Sequence, residues 1–164
     1  SKDMHKRIDE VLEIVGLSNR RKDKISSLSG GEKQRLCIAS SLALKPKILV
    51  LDEPTSMLDS ENRKKIIEIL NQVHSMGTAI IIVTHHINEI EYCNDVIFMD
   101  NGVISFNGSV NEFVKMLIKS DEFHKLNMPI NFQLAYELYK KKNVLIDEYV
   151  FDYKMVCDKL WKYL

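Results

Sequence analysis

The sequence lacks a phosphate-binding loop, and glycine is scarce throughout. Only six glycines occur in 164 residues. None lies in the pattern G-x-x-x-x-G-K-[ST] or in G-x-G-x-x-G, the two glycine-rich patterns that cradle nucleotide phosphates. Taken alone, this absence argues against a nucleotide site that is complete within these residues.

Cysteine and long apolar runs are also scarce, and the N-terminus does not resemble a signal peptide. The three cysteines, Cys37, Cys93 and Cys157, are far apart and in no C-x-x-C spacing, which argues against a disulfide scaffold and favours a reducing compartment. The longest apolar run, residues 79–83, is much shorter than the roughly 20 residues of a membrane-spanning helix. The chain opens on polar residues and on Ser rather than Met, which suggests a processed or truncated start. Any role at a membrane is therefore expected to come through a partner.

Neither sign of charge is in excess. Lys and Arg together number 23, as do Asp and Glu, so the net charge is zero. Proteins that bind nucleic acid usually carry a basic patch or stripe, so we predict no nucleic-acid partner. Apolar residues make up 45% of the chain, a normal share for a globular domain with a core.

Hydrophobic periodicity predicts an α/β fold built on a parallel sheet. A first helical pattern ends at Gly16, and a second follows Ser29 and ends before Pro46. Apolar runs at residues 48–51, 78–84 and 96–99 predict strands, the first two buried on both faces. Helices between the strands are typical of a parallel sheet. The residues predicted to face the core are Ile8, Val11, Leu12 and Val15, then Leu36, Cys37, Ala39, Ser40 and Ala43, then Ile66, Ile69, Leu70 and Val73 in a helix capped by Asp59 or Ser60.

The C-terminal part is predicted to form a hairpin followed by helices. Asn101-Gly102 between two apolar runs is the signal of a two-residue type I′ turn, and Asn107-Gly108 predicts another turn. Met128-Pro129 separates the first two helices, and residues from about 120 to 164 are interpreted as a helical appendage. The apolar positions of these helices are Phe113, Val114, Leu117, Leu134, Leu138, Tyr139, Val156, Leu160 and Leu164.

Residues 28–35 read LSGGEKQR and place two glycines at the start of a helix. The backbone N–H groups of Gly30 and Gly31, the helix dipole and the Ser29 hydroxyl together form a seat for an anion. The alternative interpretation is an ordinary serine cap followed by a glycine turn.

Residues 48–53 carry a strand into two carboxylates. Ligands bind at the carboxyl edge of a parallel sheet, where Asp52 can hold Mg²⁺ and Glu53 can orient and deprotonate a water molecule. The alternative is a solvated turn after the strand. His85, which ends the next strand, can hydrogen-bond a phosphate or an attacking water. Ordinary packing is the alternative role for that histidine.

Taken in order, these segments resemble the nucleotide-binding subunit of ABC transporters over roughly residues 4 to 118. The matching strings are LSGGEKQR, LDEPT, SMLD and a strand ending in TH. By this likeness Ser29, Gly30, Gly31 and Glu32 match the signature that contacts ATP, Asp52 the metal carboxylate, Glu53 the general base, Asp59 the D-loop and His85 the switch histidine. The family often has Ala-Gly in place of Ser56-Met57, and Asp or Asn in place of His86.

The tail resembles the ATPases of energy-coupling factor transporters, including the cobalt-import branch, in residues 107–114, 126–129 and 133–138. The resemblance implies ATP and Mg²⁺ as ligands and a head-to-tail dimer with a second ATPase subunit. It also implies a membrane coupling protein and a substrate-binding membrane protein, and a vitamin or a transition-metal ion as cargo. The location implied is the cytoplasmic face of the cell membrane.

The missing phosphate-binding loop then acquires a specific meaning. We expect residues 1–118 to be the C-terminal part of an ABC ATPase domain, with residues 119–164 as a helical extension, and the chain to be an inactive fragment of a longer ATPase. Two alternatives stay open. One is a soluble ABC ATPase outside transport, and the other is a degenerate subunit that only lends its signature to a partner.

Overall fold

The structure, a computed structural model, describes residues 2–120, 128–145 and 152–162. The chain divides into two compact units, residues 1–85 and residues 86–164. The first unit contains α1 (Lys2–Ile14), 3₁₀ turns at Ser18–Arg20 and Ile25–Ser27, α2 (Gly30–Leu42), β1 (Ile48–Asp52), α3 (Ser60–Ser75) and β2 (Ala79–Val83).

The helices of the first unit begin and end where the sequence predicts. Ser29 caps α2 and Asp59 caps α3, each side chain accepting a backbone N–H of the first turn. Gly16 follows α1 at φ +66° and Gly77 follows α3 at φ +96°, left-handed conformations that glycine adopts without strain.

The first unit holds a parallel pair of strands covered by helices on one face. Ile48 lies opposite Ala79 and Asp52 lies opposite Val83, which confirms the predicted parallel pairing. Alternate strand residues pack against the three helices, since side chains alternate between the faces of a sheet. This core consists of Val11, Leu12, Val15, Leu17, Ile38, Ala39, Leu42, Leu49, Ile66, Ile69, Leu70 and Val73.

Two burial predictions for this unit are wrong. The strands are not buried on both faces, because the described helices of the first unit cover only one face of its sheet. The apolar side chains of the other face are Ile48, Val50, Ile81 and Val83, between 49% and 61% exposed. In α2, Cys37 and Ser40 are exposed, and Ile38 and Leu42 are buried instead. The face of α2 that packs against the core is therefore rotated from the face that the periodicity predicts.

The second unit consists of an antiparallel hairpin and helices. It contains a 3₁₀ turn at Ile87–Tyr92, β3 (Asp95–Asp100), β4 (Val103–Ser109), α4 (Val110–Lys119), α5 (Ile130–Lys142) and α6 (Tyr153–Trp161). Asn101 and Gly102 have φ of +48° and +80°, which confirms the predicted I′ turn. The third predicted strand, β3, pairs with β4 in a separate sheet rather than with β2.

Asn107-Gly108 does not form the predicted turn. Both residues lie within β4, where Gly108 pairs with Val96 of β3. The chain then passes directly into α4, whose first turn Ser109 and Glu112 cap reciprocally. An added Cβ at Gly108 would lie 3.0 Å from Glu112 Oε2 and 3.1 Å from the Phe106 ring, so a larger residue would require these side chains to shift by a few tenths of an ångström.

The core of the second unit is built on Phe113. Its ring centroid lies 5.5 Å from that of Phe98 and 5.2 Å from that of Phe106, so both strands of the hairpin pack on α4. Val114, Leu117, Leu138 and Val156 are buried as predicted. Leu164 and the 126–127 pair of the tail motif lie outside the described residues, and the predicted boundary after residue 118 stays a prediction.

Among the helices of the described residues, none combines the length and the apolar composition needed to cross a bilayer.

Candidate functional site

The start of α2 is closed by a reciprocal cap. Ser29 Oγ accepts from the backbone N–H of Glu32 at 3.3 Å, and Glu32 Oε2 accepts from the backbone N–H of Ser29 at 2.8 Å. The N–H groups of Gly30 and Gly31 follow in the first turn, where no carbonyl of the helix can accept from them. These two N–H groups therefore form a pair of donors at the positive end of the helix dipole.

The carboxylate of Glu32 stays ionised beside these donors. The backbone N–H and the hydroxyl of Ser29 hold the pKa of Glu32 below its ordinary value, and the charge of Arg20 acts in the same direction. Arg20 Nε lies 3.1 Å from Glu32 Oε1, and its Nη1 lies 3.0 Å from Asp23. The guanidinium therefore offsets the negative charge that Glu32 brings to the start of α2.

Asn62 brings the start of α3 against the start of α2. A Cβ added at Gly31 would lie 2.4 Å from Asn62 Oδ1, whereas a Cβ at Gly30 would meet nothing within 4 Å. Asn62 Nδ2 donates to Asp59 Oδ2 at 2.7 Å, and its backbone N–H donates to Asp59 Oδ1 at 2.8 Å. These bonds lower the pKa of Asp59. The structure therefore links Gly31 to Asp59 through a residue that sequence reasoning missed.

Glu53 and His85 meet where the two parallel strands end. Glu53 Oε1 lies 2.5 Å from His85 Nδ1, and the Glu53 backbone N–H donates to Val83 O at 2.8 Å. The second carboxylate oxygen, Glu53 Oε2, is buried and has no hydrogen-bond partner among the described residues. Glu53 also has φ of +46°, an uncommon backbone conformation for a residue with a Cβ. Such strain is concentrated at functional sites.

Asp52 is the last residue of β1 and is exposed. Within the described part of the chain, no hydrogen bond or ion pair of its carboxylate is found. A carboxylate with free oxygens is the kind of ligand that Mg²⁺ takes in proteins. The predicted site residues fall into two sets by their place in the fold. One is the strand-end set Asp52, Glu53 and His85, and the other is the helix-start set Ser29 to Glu32 with Asp59.

Comparison with known proteins gives consistent matches. The profile of the family described as ABC transporter matches residues 2–56. The energy-coupling factor transporter ATP-binding protein EcfA1 of Thermotoga maritima is 44% identical over 135 residues, which are 80% of this chain and 49% of that protein. The structure of cbiO1 from Clostridium perfringens, part of the ABC transporter complex cbiONQ, matches with TM-score 0.66 at 31% identity over 81% of this chain and 53% of that one. The dimeric bacterial ABC transporter cassette MJ0796 matches with TM-score 0.58 at 32% identity over 66% of this chain and 48% of that one.

Residues 2–56 match the ABC transporter family, and the fold of the chain is that of an ABC ATPase cassette in part. Several relatives with identities of 32–44% are energy-coupling factor transporter ATP-binding proteins, and the methionine import ATP-binding protein MetN of Clostridioides difficile is 42% identical over 67% of this chain. The chain spans about half the length of the curated relatives it matches. The resemblance and the fold class predicted from the motifs are thereby confirmed.

Proposed function

We propose that this chain carries part of the ATP sites of an energy-coupling factor importer ATPase. In this proposal the strand-end set serves hydrolysis of one ATP, and the helix-start set completes the site of a second ATPase subunit. The observation that carries the proposal is the Glu53–His85 contact at the ends of two parallel strands, with one carboxylate oxygen buried and unpartnered among the described residues.

The contact with His85 supports a role for Glu53 as the general base. His85 Nδ1 lies against Oε1, which fixes the orientation of the carboxylate. A water molecule that attacks the γ-phosphorus of ATP in line would pass a proton to this carboxylate, while the bond from phosphorus to the bridging oxygen breaks. A carboxylate held in this way makes the attacking water a better nucleophile.

Asp52 is the residue that would hold Mg²⁺, because its exposed carboxylate has no partner among the described residues and lies one residue before Glu53. The ion, when bound, neutralises charge on the phosphate oxygens of ATP. A phosphate-binding loop is not among the 164 residues. We therefore propose that Asp52, Glu53 and His85 require a loop supplied outside this sequence before they can act.

The helix-start set offers N–H donors that can bind the phosphate of a nucleotide held by a second subunit. The two glycine N–H groups and the helix dipole favour binding of an anion, and Asn62 links the ionised Asp59 to this helix start. In this arrangement the γ-phosphate held by a second ATPase subunit joins the two subunits. Hydrolysis removes that phosphate and weakens the contact between the two subunits.

The proposal places the chain in an assembly with a membrane coupling protein and a substrate-binding membrane protein, at the cytoplasmic face of the cell membrane. Support comes from the EcfA1 relatives and from cbiO1, a part of the cbiONQ complex. A vitamin or a transition-metal ion is the class of cargo. Co-purification distinguishes the alternatives, since nucleic acid in place of membrane subunits would favour an ABC ATPase outside transport.

The variant Glu53→Gln tests the proposed role of Glu53. In the natural polypeptide that contains this chain, assembled with its partners, ATP hydrolysis should fall by about 10²–10⁴-fold, because the amide cannot accept the proton. ATP-driven dimerisation, followed by gel filtration, should be preserved because the amide keeps the shape. The matched control is Glu61→Gln, an exposed carboxylate paired only with Lys65 among the described residues. Hydrolysis near the parent rate in Glu53→Gln would contradict the proposal.

Titration of the 164 residues alone with Mg-ATP tests the need for an external loop. We expect no binding in the micromolar range. Micromolar affinity, measured by calorimetry, would show that these residues hold a nucleotide without a phosphate-binding loop and would contradict this part of the proposal.

A further inference from the structure

Asn62 lies at the first turn of α3 and contacts both the start of α2 and the cap of its own helix. The N-terminal ends of two helices would ordinarily be independent, since each is capped by its own serine or aspartate. Here a single side chain lies between them. Its backbone N–H, Nδ2 and Oδ1 all form hydrogen bonds, each with a residue of the helix-start set or of α2.

The hydrogen bonds of Asn62 hold both oxygens of one carboxylate. Its backbone N–H donates to Asp59 Oδ1 at 2.8 Å, which is an ordinary helix cap. Its Nδ2 donates to Asp59 Oδ2 at 2.7 Å, a bond that the cap does not require. The remaining oxygen, Oδ1, accepts from Arg35 Nη1 of α2 at 3.3 Å. A chain of bonds therefore runs from Asp59 through the amide of Asn62 to the second turn of α2.

Contact with Gly31 adds a steric link to this chain. An added Cβ at Gly31 would lie 2.4 Å from Asn62 Oδ1 and 2.6 Å from its Cγ, closer than atoms can approach. Gly31 has no positive φ, so its backbone does not require glycine. The need for glycine at position 31 comes from the amide that rests on it. Gly30, one residue earlier, has open space at the same point.

We propose that Asn62 is a positioning residue that holds the D-loop carboxylate Asp59 in a fixed position relative to the signature helix α2. The inference rests on the proposed function, in which both elements contact the nucleotide of a second subunit. The Ser29–Glu32 cap does not involve Asn62, so loss of the amide leaves the anion seat formed. What is lost is the fixed placement of Asp59, and misplacement of this kind lowers the rate of the chemical step more than it lowers binding.

An activity cycle tests whether Asn62 acts through Asp59. In the assembled natural protein, Asn62→Ala should lower kcat about 10-fold with KM changed less than about twofold. The double variant Asp59→Ala with Asn62→Ala should have the kcat of Asp59→Ala alone, because the amide has nothing left to position. Glu61→Ala, one residue earlier on an exposed site, is the matched control and should retain parent kcat. The proposal is overturned if the fold-losses of kcat in the two single variants multiply in the double variant. It is also overturned if Asn62→Ala changes only KM or keeps the parent kcat.

A stability cycle tests the structural link without reference to ATP. Gly31→Ala should lower Tm by about 3–10 °C, the effect typical of overpacking in a protein of this size, whereas Gly30→Ala should not. In the Asn62→Ala background the same Gly31 substitution should lower Tm by less than half as much, since the two nearest atoms, Oδ1 and Cγ, are gone and the Asn62 Cβ lies 3.2 Å away. Equal costs in both backgrounds would overturn the link. If the parent shows no ATP hydrolysis but the stability cycle shows coupling, the proposed function fails and the link stands.

Discussion

Replacing Glu53 with glycine should leave the protein more stable than replacing it with alanine. Both variants lose the carboxylate and its contact with His85, so they differ only at Cβ. Glu53 has φ of +46°, in the left-handed region where Cβ approaches the following carbonyl. At most other positions an alanine variant is expected to be more stable than a glycine variant, because glycine loses more backbone freedom on folding than alanine does.

The magnitude follows from two opposing effects. A residue with a Cβ in the left-handed conformation costs about 1–2 kcal/mol. Glycine costs about 0.5–1 kcal/mol in lost backbone entropy relative to alanine. At the middle of both ranges the difference favours Glu53→Gly over Glu53→Ala by about 0.75 kcal/mol, with extremes of about 0 and about 1.5 kcal/mol. The middle value corresponds to about 1.5–3 °C in Tm for a domain of 150–250 residues.

Thermal unfolding of the natural polypeptide, followed by circular dichroism, measures the difference. Lys45 provides a matched position, since it has φ of +52°, is exposed and also precedes a proline. The Lys45→Gly variant should therefore also have a higher Tm than the Lys45→Ala variant. At Lys64, an exposed position inside α3, the alanine variant should be more stable than the glycine variant by up to about 1 kcal/mol in the free energy of unfolding. Alanine equal to or more stable than glycine at position 53 would refute the strain argument.

Three further predictions concern the cap, the carboxylates and the cysteines. Ser29→Ala removes the hydroxyl that caps α2 and should lower the free energy of unfolding by about 0.5–2 kcal/mol, measured by urea titration; an unchanged midpoint would contradict the cap. The pKa values of Glu32 and Asp59 are lowered by hydrogen bonds, so their contribution to stability is present above about pH 5 and is lost as the pH falls below about 4. As the pH falls through this range, Tm should therefore fall more steeply for the parent than for Asp59→Asn. Parallel curves of Tm against pH would contradict the lowered pKa of Asp59. Burial raises the pKa of the Cys93 thiol, so iodoacetamide should alkylate it more slowly than exposed Cys37, as mass spectrometry can show; equal rates would be inconsistent with that burial.

Local signals predicted most of the helix ends and the parallel pair of strands. Ser29 and Asp59 are capping residues by type, and Gly16 and Gly77 end helices by their conformation, so each can be located from its neighbours alone. The motif order predicted the family for the same reason, since four short segments keep their spacing whatever packs around them. These features depend on a few adjacent residues.

The features that the sequence did not predict depend on contacts between distant residues. Asn62 has an unremarkable position three residues after a cap, and only the approach of α2 to α3 gives it a role. Asn107-Gly108 has the composition of a turn, but pairing with β3 keeps it extended. Strand burial was overestimated because an apolar run does not reveal whether a second layer covers it.

The outward face of the β1–β2 sheet bears on how the chain is produced. Residues 79–83 read AIIIV, a short segment with high strand propensity and with neither charge nor proline, the composition of aggregation-prone segments. Its exposed side chains lie beside Ile48 and Val50, and the net charge of the chain is zero at pH 7. Repulsion between molecules is therefore weakest at neutral pH, where proteins of zero net charge associate most readily. Expression at low temperature and purification away from neutral pH are the conditions that favour a soluble preparation.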